Sequence, residues 1–371
     1  CKVNRKDLIP LNKWLDQHRN EYDLVALIRL NRHCTRHQTK SISVYKKIQD
    51  LFTKKSSYYK FFTEFFKNYS EDVIGKLTKF GEKEAFDLGS DFRNYYGIYL
   101  PDMDDLYVLA GCSGVNRACS TRSEFIKGLF GIESSENPKI DFEIISQSYI
   151  EPSDFENTNE YKALKKEFDS LYKSDIKSII QSNLKKQTQI SFKDFIHIVN
   201  ASCLEFVING NDFWINNFNL KIKNKMNEFK EKSREIKYAL QESPTKELIN
   251  PLINLYIKNL ERLKSQILDE KTDRQEDKNS LIFYFSHDTT MVAMLKALKL
   301  SCTSNDDITY IPFCSNIQFN LIKSKADNGK IFIIASYNEY ICSLKDLCDI
   351  DDDAPCDIDV LMQKMKEITA L

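Results

Sequence analysis

Between Arg29 and His37 the sequence places Arg29, Arg32, His33, Arg36 and His37 at the end of an apolar run, DLVALIRLN, that has strand character. A strand that delivers arginines and histidines to one loop is poorly explained as core, because each buried charge costs several kcal/mol unless it meets an anion or a carboxylate. Phosphate is the natural occupant. Guanidinium forks match phosphoryl oxygens, and an imidazole among them can act as a nucleophile on phosphorus. Two further stretches supply related groups. Residues 281–288, LIFYFSHD, form a continuous apolar strand ending in Ser286-His287-Asp288 and running into the amphipathic MVAMLKALKL. Arg117 opens a helix after a strand at 105–111, which directs its side chain toward the carboxyl edge of a sheet, where ligands of α/β folds sit.

The elements that would position these groups are readable from periodicity. Leu8, Leu11, Trp14 and Leu15 mark a lead-in helix before the first strand. From Val44 to Tyr69 the pattern is amphipathic and strongly aromatic, a helix packed on core. Thr78 reads as an N-cap, with the glutamates after Gly81 in the favourable first turns of the next helix. A helix from Asn116 ends at Gly131, and a strand is expected around 142–146. From about 150 to 275 the chain turns to long lysine-rich amphipathic helices, an inserted helical subdomain. Its lysines at 221–237 read as a solvated helix face. Strands follow at 316–322 and 330–338, joined by an Asp327-Asn328-Gly329 turn.

A chain of 371 residues with 42% apolar content can bury a large core. A net charge of −1 gives no nucleic-acid footprint, and the absence of an eighteen-residue apolar run argues against a membrane span or an uncleaved signal peptide. The numbering opens at Cys1 rather than methionine, which allows export. Ten cysteines and the sequons Asn68-Tyr-Ser70 and Asn200-Ala-Ser202 fit an oxidising secretory route. Cysteine and histidine are nowhere clustered at zinc spacing, so no metal and no cofactor is expected.

The segment Arg32-His33-Cys34-Thr35-Arg36-His37-Gln38 resembles the Arg-His-Gly-x-Arg-x-Pro signature of the histidine acid phosphatases, with Cys34 at the glycine and Gln38 at the proline. Gly75 to Gly81 resembles that family's G-x-Leu-Thr-x-x-Gly helix. Arg117 and Ser120, with Gly128-Leu-Phe130, resemble its second arginine block. Ser286-His287-Asp288 resembles its second catalytic signature, and Tyr310-Ile-Pro312-Phe313-Cys314-Ser315 its Pro-Tyr-Ala-Ser approach to a strand.

The resemblance implies an α/β fold with a mixed, mostly parallel central sheet flanked by helices and an inserted all-helical cap subdomain. The core would span 1–149 and 276–371, and a cap at 150–275 would overhang the active site and set substrate preference. It implies hydrolysis of small-molecule phosphate monoesters through phosphohistidine, at acidic pH. His33 would be the nucleophile and Asp288 the proton donor; Arg32, Arg36, Arg117 and His287 would bind the phosphoryl oxygens. It also implies a Cys348–Cys356 disulfide, a looser Cys203–Cys314 bridge, and a secreted, lysosomal or vacuolar location. A homodimer stays open. Two rival readings remain. One is a silent family member acting as a binding or structural subunit, motivated by Cys34, whose thiol must point away or crowd the phosphate. The other is a hydrolase of inositol polyphosphates, motivated by the basic cap.

Overall fold

A computed structural model of the chain describes residues 9–100, 106–131, 139–145, 159–171, 180–186, 188–218, 223–226, 228–229, 232–233, 244–268, 279–302, 311–327, 329–352 and 354–370. Cys1, Leu8, Tyr310, Asn328 and most of the lysine-rich stretch at 221–237 lie outside them. Two compact units emerge: Cys1–Thr35, Gly81–Pro152 and Leu240–Leu371 form the first, Arg36–Phe80 and Ser153–Ala239 the second.

Among the described residues the helices are α1 (Leu11–Gln17), α2 (Ile42–Asp50), α3 (Ser57–Asn68), α4 (Lys79–Tyr96), α5 (Asn116–Phe130), α6 (Asn159–Leu171), α7 (Phe192–Asn209), α8 (Phe213–Asn217), α9 (Pro244–Leu268), α10 (Asp288–Ala297), α11 (Lys345–Cys348) and α12 (Ile358–Ala370). The strands are β1 (Tyr22–Arg32), β2 (Tyr107–Cys112), β3 (Ile140–Ile144), β4 (Asn279–Ser286), β5 (Asn316–Ser324), β6 (Ile331–Tyr337), β7 (Tyr340–Cys342) and β8 (Cys356–Asp357).

The first unit is a mixed sheet flanked by helices, in the order β3-β2-β4-β1-β5-β6-β7, with β8 on β6. Parallel pairing joins β3, β2, β4 and β1. The other half is antiparallel, because the short connections between β5, β6 and β7 leave no room for a crossover. Strand β1 is buried along almost its whole length, which explains why residues 24–28 read as an unbroken apolar run instead of alternating. In β4 alternation decides the faces. Leu281, Phe283 and Phe285 join Trp14 of α1, Phe92 of α4 and Phe125 of α5 in one core, while Tyr284 meets Tyr256 of α9.

Two glycines let α4 and α5 cross at backbone contact. A Cβ on Gly89 would lie 2.0 Å from the Phe125 carbonyl oxygen, and one on Gly128 would lie 2.0 Å from that of Phe86. Gly128→Ala is therefore expected to force the helices apart and destabilise the protein by about 1–3 kcal/mol, read as a lowered urea midpoint.

The second unit is helical. Tyr45 of α2 and Phe61, Phe62 and Phe65 of α3 pack with Phe195 and Ile198 of α7, Phe213 of α8, and Phe218. The aromatic face of α3 thus closes a core of its own. For that reason 36–80 clusters with the helical insertion instead of with the sheet, while α9 clusters with the sheet.

Candidate functional site

The site grows from three parallel strands that end side by side. Arg32, the last residue of β1, is in register with Ser286, the last of β4, and Cys112 ends β2 opposite Phe285. Each strand passes its next residue to the site: His33, His287 and Ser113. The ladder continues one step further, since His33 N–H donates to Ser286 O at 2.9 Å and Ser113 N–H to Phe285 O at 3.1 Å. Helices α10 and α5 start just beyond β4 and β2, which places Asp288 and Arg117 in their first turns.

The loop after His33 is held at its first two peptides. Cys34 N–H donates to Thr121 Oγ1 on α5 at 3.1 Å, and Thr35 N–H to Glu84 Oε2 on α4 at 3.1 Å. Gly81 backs the same loop, where a Cβ would lie 1.9 Å from the Thr35 carbonyl oxygen. This accounts for the glycine in the sequence motif: the helix and the loop meet backbone to backbone. Thr121 and Glu84 were not singled out as site residues by sequence reasoning, because one threonine and one glutamate on amphipathic helices carry no pattern of their own.

Side-chain geometry then assigns protons. His33 Nδ1 lies 2.9 Å from the Cys34 carbonyl. A carbonyl only accepts, so Nδ1 carries the hydrogen and the neutral ring keeps its lone pair on Nε2. His287 Nδ1 lies 3.3 Å from Arg117 Nη2, and its Nε2 lies 3.1 Å from Ser113 Oγ. A guanidinium only donates, so Nδ1 accepts and Nε2–H is directed at Ser113. The His33 and His287 rings are 5.3 Å apart, edge to face.

Arg32 is 6% exposed, and its Nη2 pairs with Asp288 Oδ2 at 3.2 Å. Its Nη1 donates to Ile311 O at 2.5 Å, and its guanidinium lies over the Phe313 ring, 4.1 Å from the centroid. The Arg32 Nε is buried with no hydrogen-bond partner among the described residues, a donor disposed to meet an anion. Asp288 takes the first helical position of α10, where His287 is the N-cap, and its Oδ1 accepts from Thr289 N–H at 3.1 Å. The carboxyl is therefore more than a cap: it also faces Arg32.

Arg36, His37 and Gln38 belong to the second unit. Arg36 Nη1 donates to His37 O at 2.9 Å, and Arg36 bridges Leu77. Burial lowers the His37 pKa, favouring the neutral ring. Tyr69, its hydroxyl pushed up to about 12 chiefly by burial, places that hydroxyl 2.8 Å from Gln38 O and 2.5 Å from Lys40 O. Arg29, grouped with the basic cluster by sequence, stays within the sheet. There it pairs with Glu339 at 2.9 Å, which also accepts from Tyr96 Oη.

Four disulfides are formed among the described cysteines. Cys348–Cys356 is present as expected, and Cys112–Cys119 and Cys302–Cys342 join it. The expected Cys203–Cys314 bridge is corrected. Cys314 is bonded to Cys34, with Cα atoms 4.6 Å apart, and Cys203 on α7 carries a free thiol. The reason is strand adjacency: Arg32 N–H donates to Ser315 O, so Cys34, one residue past His33, faces Cys314, two residues before β5. Cys34, Glu84 and Cys314 also group within ligand distance, but the two sulfurs are bonded to each other and offer no thiolate pair. Asn68 is exposed at the end of α3. Asn200 lies inside α7, with Ser202 of its sequon fully buried.

The parallel strand ends thus gather two imidazoles, arginines and a carboxylate at one edge of the sheet. The chain belongs to the histidine phosphatase superfamily (branch 2), whose family model matches residues 23–338. Its fold is shared by the phytase from D. castellii (TM-score 0.69, 15% identity, covering 99% of this chain and 82% of that one) and by Hafnia alvei phytase (0.61, 14%, 94% and 97%). It is also shared by the multiple inositol polyphosphate phosphatase of Bifidobacterium longum, in complex with inositol hexasulfate (0.56, 12%, 87% and 87%). No curated protein matches the sequence significantly. Among the described residues no helix is long and apolar enough to cross a membrane.

Proposed function

We propose that the chain is an acid phosphatase that hydrolyses phosphate monoesters through a phosphohistidine at His33. One observation carries the reading: the Nδ1–H of His33 is committed to the Cys34 carbonyl, so that Nε2 is the ring nitrogen with the nucleophilic lone pair, and the preceding residue, Arg32, is buried with its Nε lacking a hydrogen-bond partner among the described residues. Nε2 attacks phosphorus. The ester oxygen departs with a proton from Asp288, the carboxylate then takes a proton from water, and the resulting nucleophile releases inorganic phosphate and restores His33. Arg32 and Arg117 supply the positive charge for the phosphoryl oxygens, and His287, together with Arg36 of the first signature, is assigned to bind them. A carboxylic acid as proton donor favours acidic working pH.

The acid role is separable from the nucleophile's. An alkyl leaving group needs a proton and a nitrophenolate scarcely does. Asp288→Asn should therefore slow glycerol phosphate by about 10²-fold or more and p-nitrophenyl phosphate far less. Equal slowing of the two esters would remove the proton-donor assignment.

Inositol polyphosphate is the second reading, favoured by the phytases and the inositol polyphosphate phosphatase among the structural neighbours. Comparing turnover of phytate with that of small monoesters decides between them. The silent-subunit reading rested on the Cys34 thiol, and the bonding of that sulfur to Cys314 removes its motive. Four disulfides support a secretory or lysosomal route, with Asn68 as glycan acceptor. Glycopeptide mapping should find Asn68 occupied and Asn200 bare; an unmodified Asn68 in secreted protein would count against that assignment.

A further inference from the structure

Cys34 stands at the glycine of the first signature, and Cys314 stands at the alanine of the strand approach. The structure joins these two departures to each other. Cys34 immediately follows the nucleophile, and its own carbonyl is the acceptor that sets the His33 tautomer. Cys314 lies in the segment that holds the other side of the same loop. Ile311 O takes Arg32 Nη1, Phe313 lies under the Arg32 guanidinium and 5.6 Å from the His33 ring, Cys314 N–H reaches toward His33 O at 3.4 Å, and Ser315 O takes Arg32 N–H. Cys314 also has φ +59°, a left-handed backbone that a β-carbon disfavours, so the segment keeps this shape only while its surroundings hold it. Cys34 does not share that conformation. A side chain at 34 thus brings no left-handed strain, and it is fully buried, directed into the bridge.

We propose that the Cys34–Cys314 disulfide is a positioning element for the phosphohistidine site, and that turnover depends on its oxidised state. The inference rests on the phosphatase reading above. A dithiol would deliver two electrons and two protons, splitting the S–S bond into the Cys34 and Cys314 thiols and becoming a cyclic disulfide itself. Cys314 is the partly exposed member of the pair and Cys34 is fully buried, so the reductant is taken to attack at Cys314. Once the bond is cut, the 311–315 segment keeps only hydrogen bonds and a ring face to hold Arg32 and His33. Small displacements of a nucleophile and its anion clamp cost rate more than ground-state binding.

The test compares the oxidised protein, the protein treated with dithiothreitol under native conditions, and the Cys34→Gly/Cys314→Ala variant, which carries the family's residues at both positions. Mass spectrometry after alkylation reports which thiols are free, and far-ultraviolet circular dichroism reports the fold. The expected result is a fall in kcat of about 10- to 100-fold on reduction of the native protein, with KM changed much less. The double variant, which cannot form the bridge, should show no such fall, so any remaining sensitivity there belongs to the other three disulfides. Equal responses in the two proteins would overturn the inference, as would unchanged kcat in native protein whose Cys34 and Cys314 are both alkylated. An oxidised protein with no turnover on any monoester would overturn the phosphatase reading and this inference with it; turnover that reduction leaves untouched overturns the inference alone.

Discussion

His33→Ala is expected to lower kcat for p-nitrophenyl phosphate by roughly 10⁴-fold or more, because the variant lacks the atom we propose bonds to phosphorus. The loss should be chemical instead of structural. His33 is 2% exposed, its Nδ1 bonds the neighbouring Cys34 carbonyl, and its backbone N–H stays on Ser286 O whatever the side chain. Removing a buried imidazole from one strand end should cost about 1–3 kcal/mol of stability. Circular dichroism and the melting temperature check that the fold survives. Retention of more than a few per cent of the native rate in the folded variant would remove His33 from the nucleophile's role, and no other feature of the site would replace it.

Arg32→Lys should lower kcat/KM by about 10²- to 10³-fold. The guanidinium does three things at once: it bonds the Ile311 carbonyl, pairs with Asp288, and keeps Nε as an unused buried donor. An ammonium is a point charge without the planar fork. It cannot span Ile311 and Asp288 while leaving a donor for phosphate, and it stacks less well on Phe313. With Arg32 lost, Asp288 also loses its partner across the site. The variant's pH–rate profile should therefore change in shape as well as height, whereas a purely structural role for Arg32 would lower the rate evenly across pH.

Strands β1 and β4 of the parallel half were legible because they are buried on both faces and read as apolar runs that stop at charged residues. Arg32-His33 and His287-Asp288 stand out for that reason. Arg29 was harder: its charge resembles the others in the sequence, and only the register with β5 and the position of Glu339 show that it is a buried strand residue. The Cys34–Cys314 bond was hidden by a separation of 280 residues, a pairing set by which strand lies beside β1. The aromatic stripe of α3 showed that the helix packs, but a stripe does not name its partner, so 36–80 could not be assigned to the helical unit from periodicity. Ser113 and Thr121 reach the site through hydrogen bonds, Ser113 to His287 and Thr121 to the Cys34 N–H, that only the packing of β2 and α5 beside β1 and β4 reveals.

The central claim is a covalent phosphate on His33. Rapid acid-free quenching of the oxidised protein with ³²P-labelled monoester, followed by proteolysis under alkaline conditions, tests it most directly. The account predicts a label that is stable to alkali and lost in acid, carried by the peptide containing Arg32-His33-Cys34 and absent from His33→Ala. Label on any other residue, or steady turnover with no protein-bound phosphate at any quench time, would contradict it.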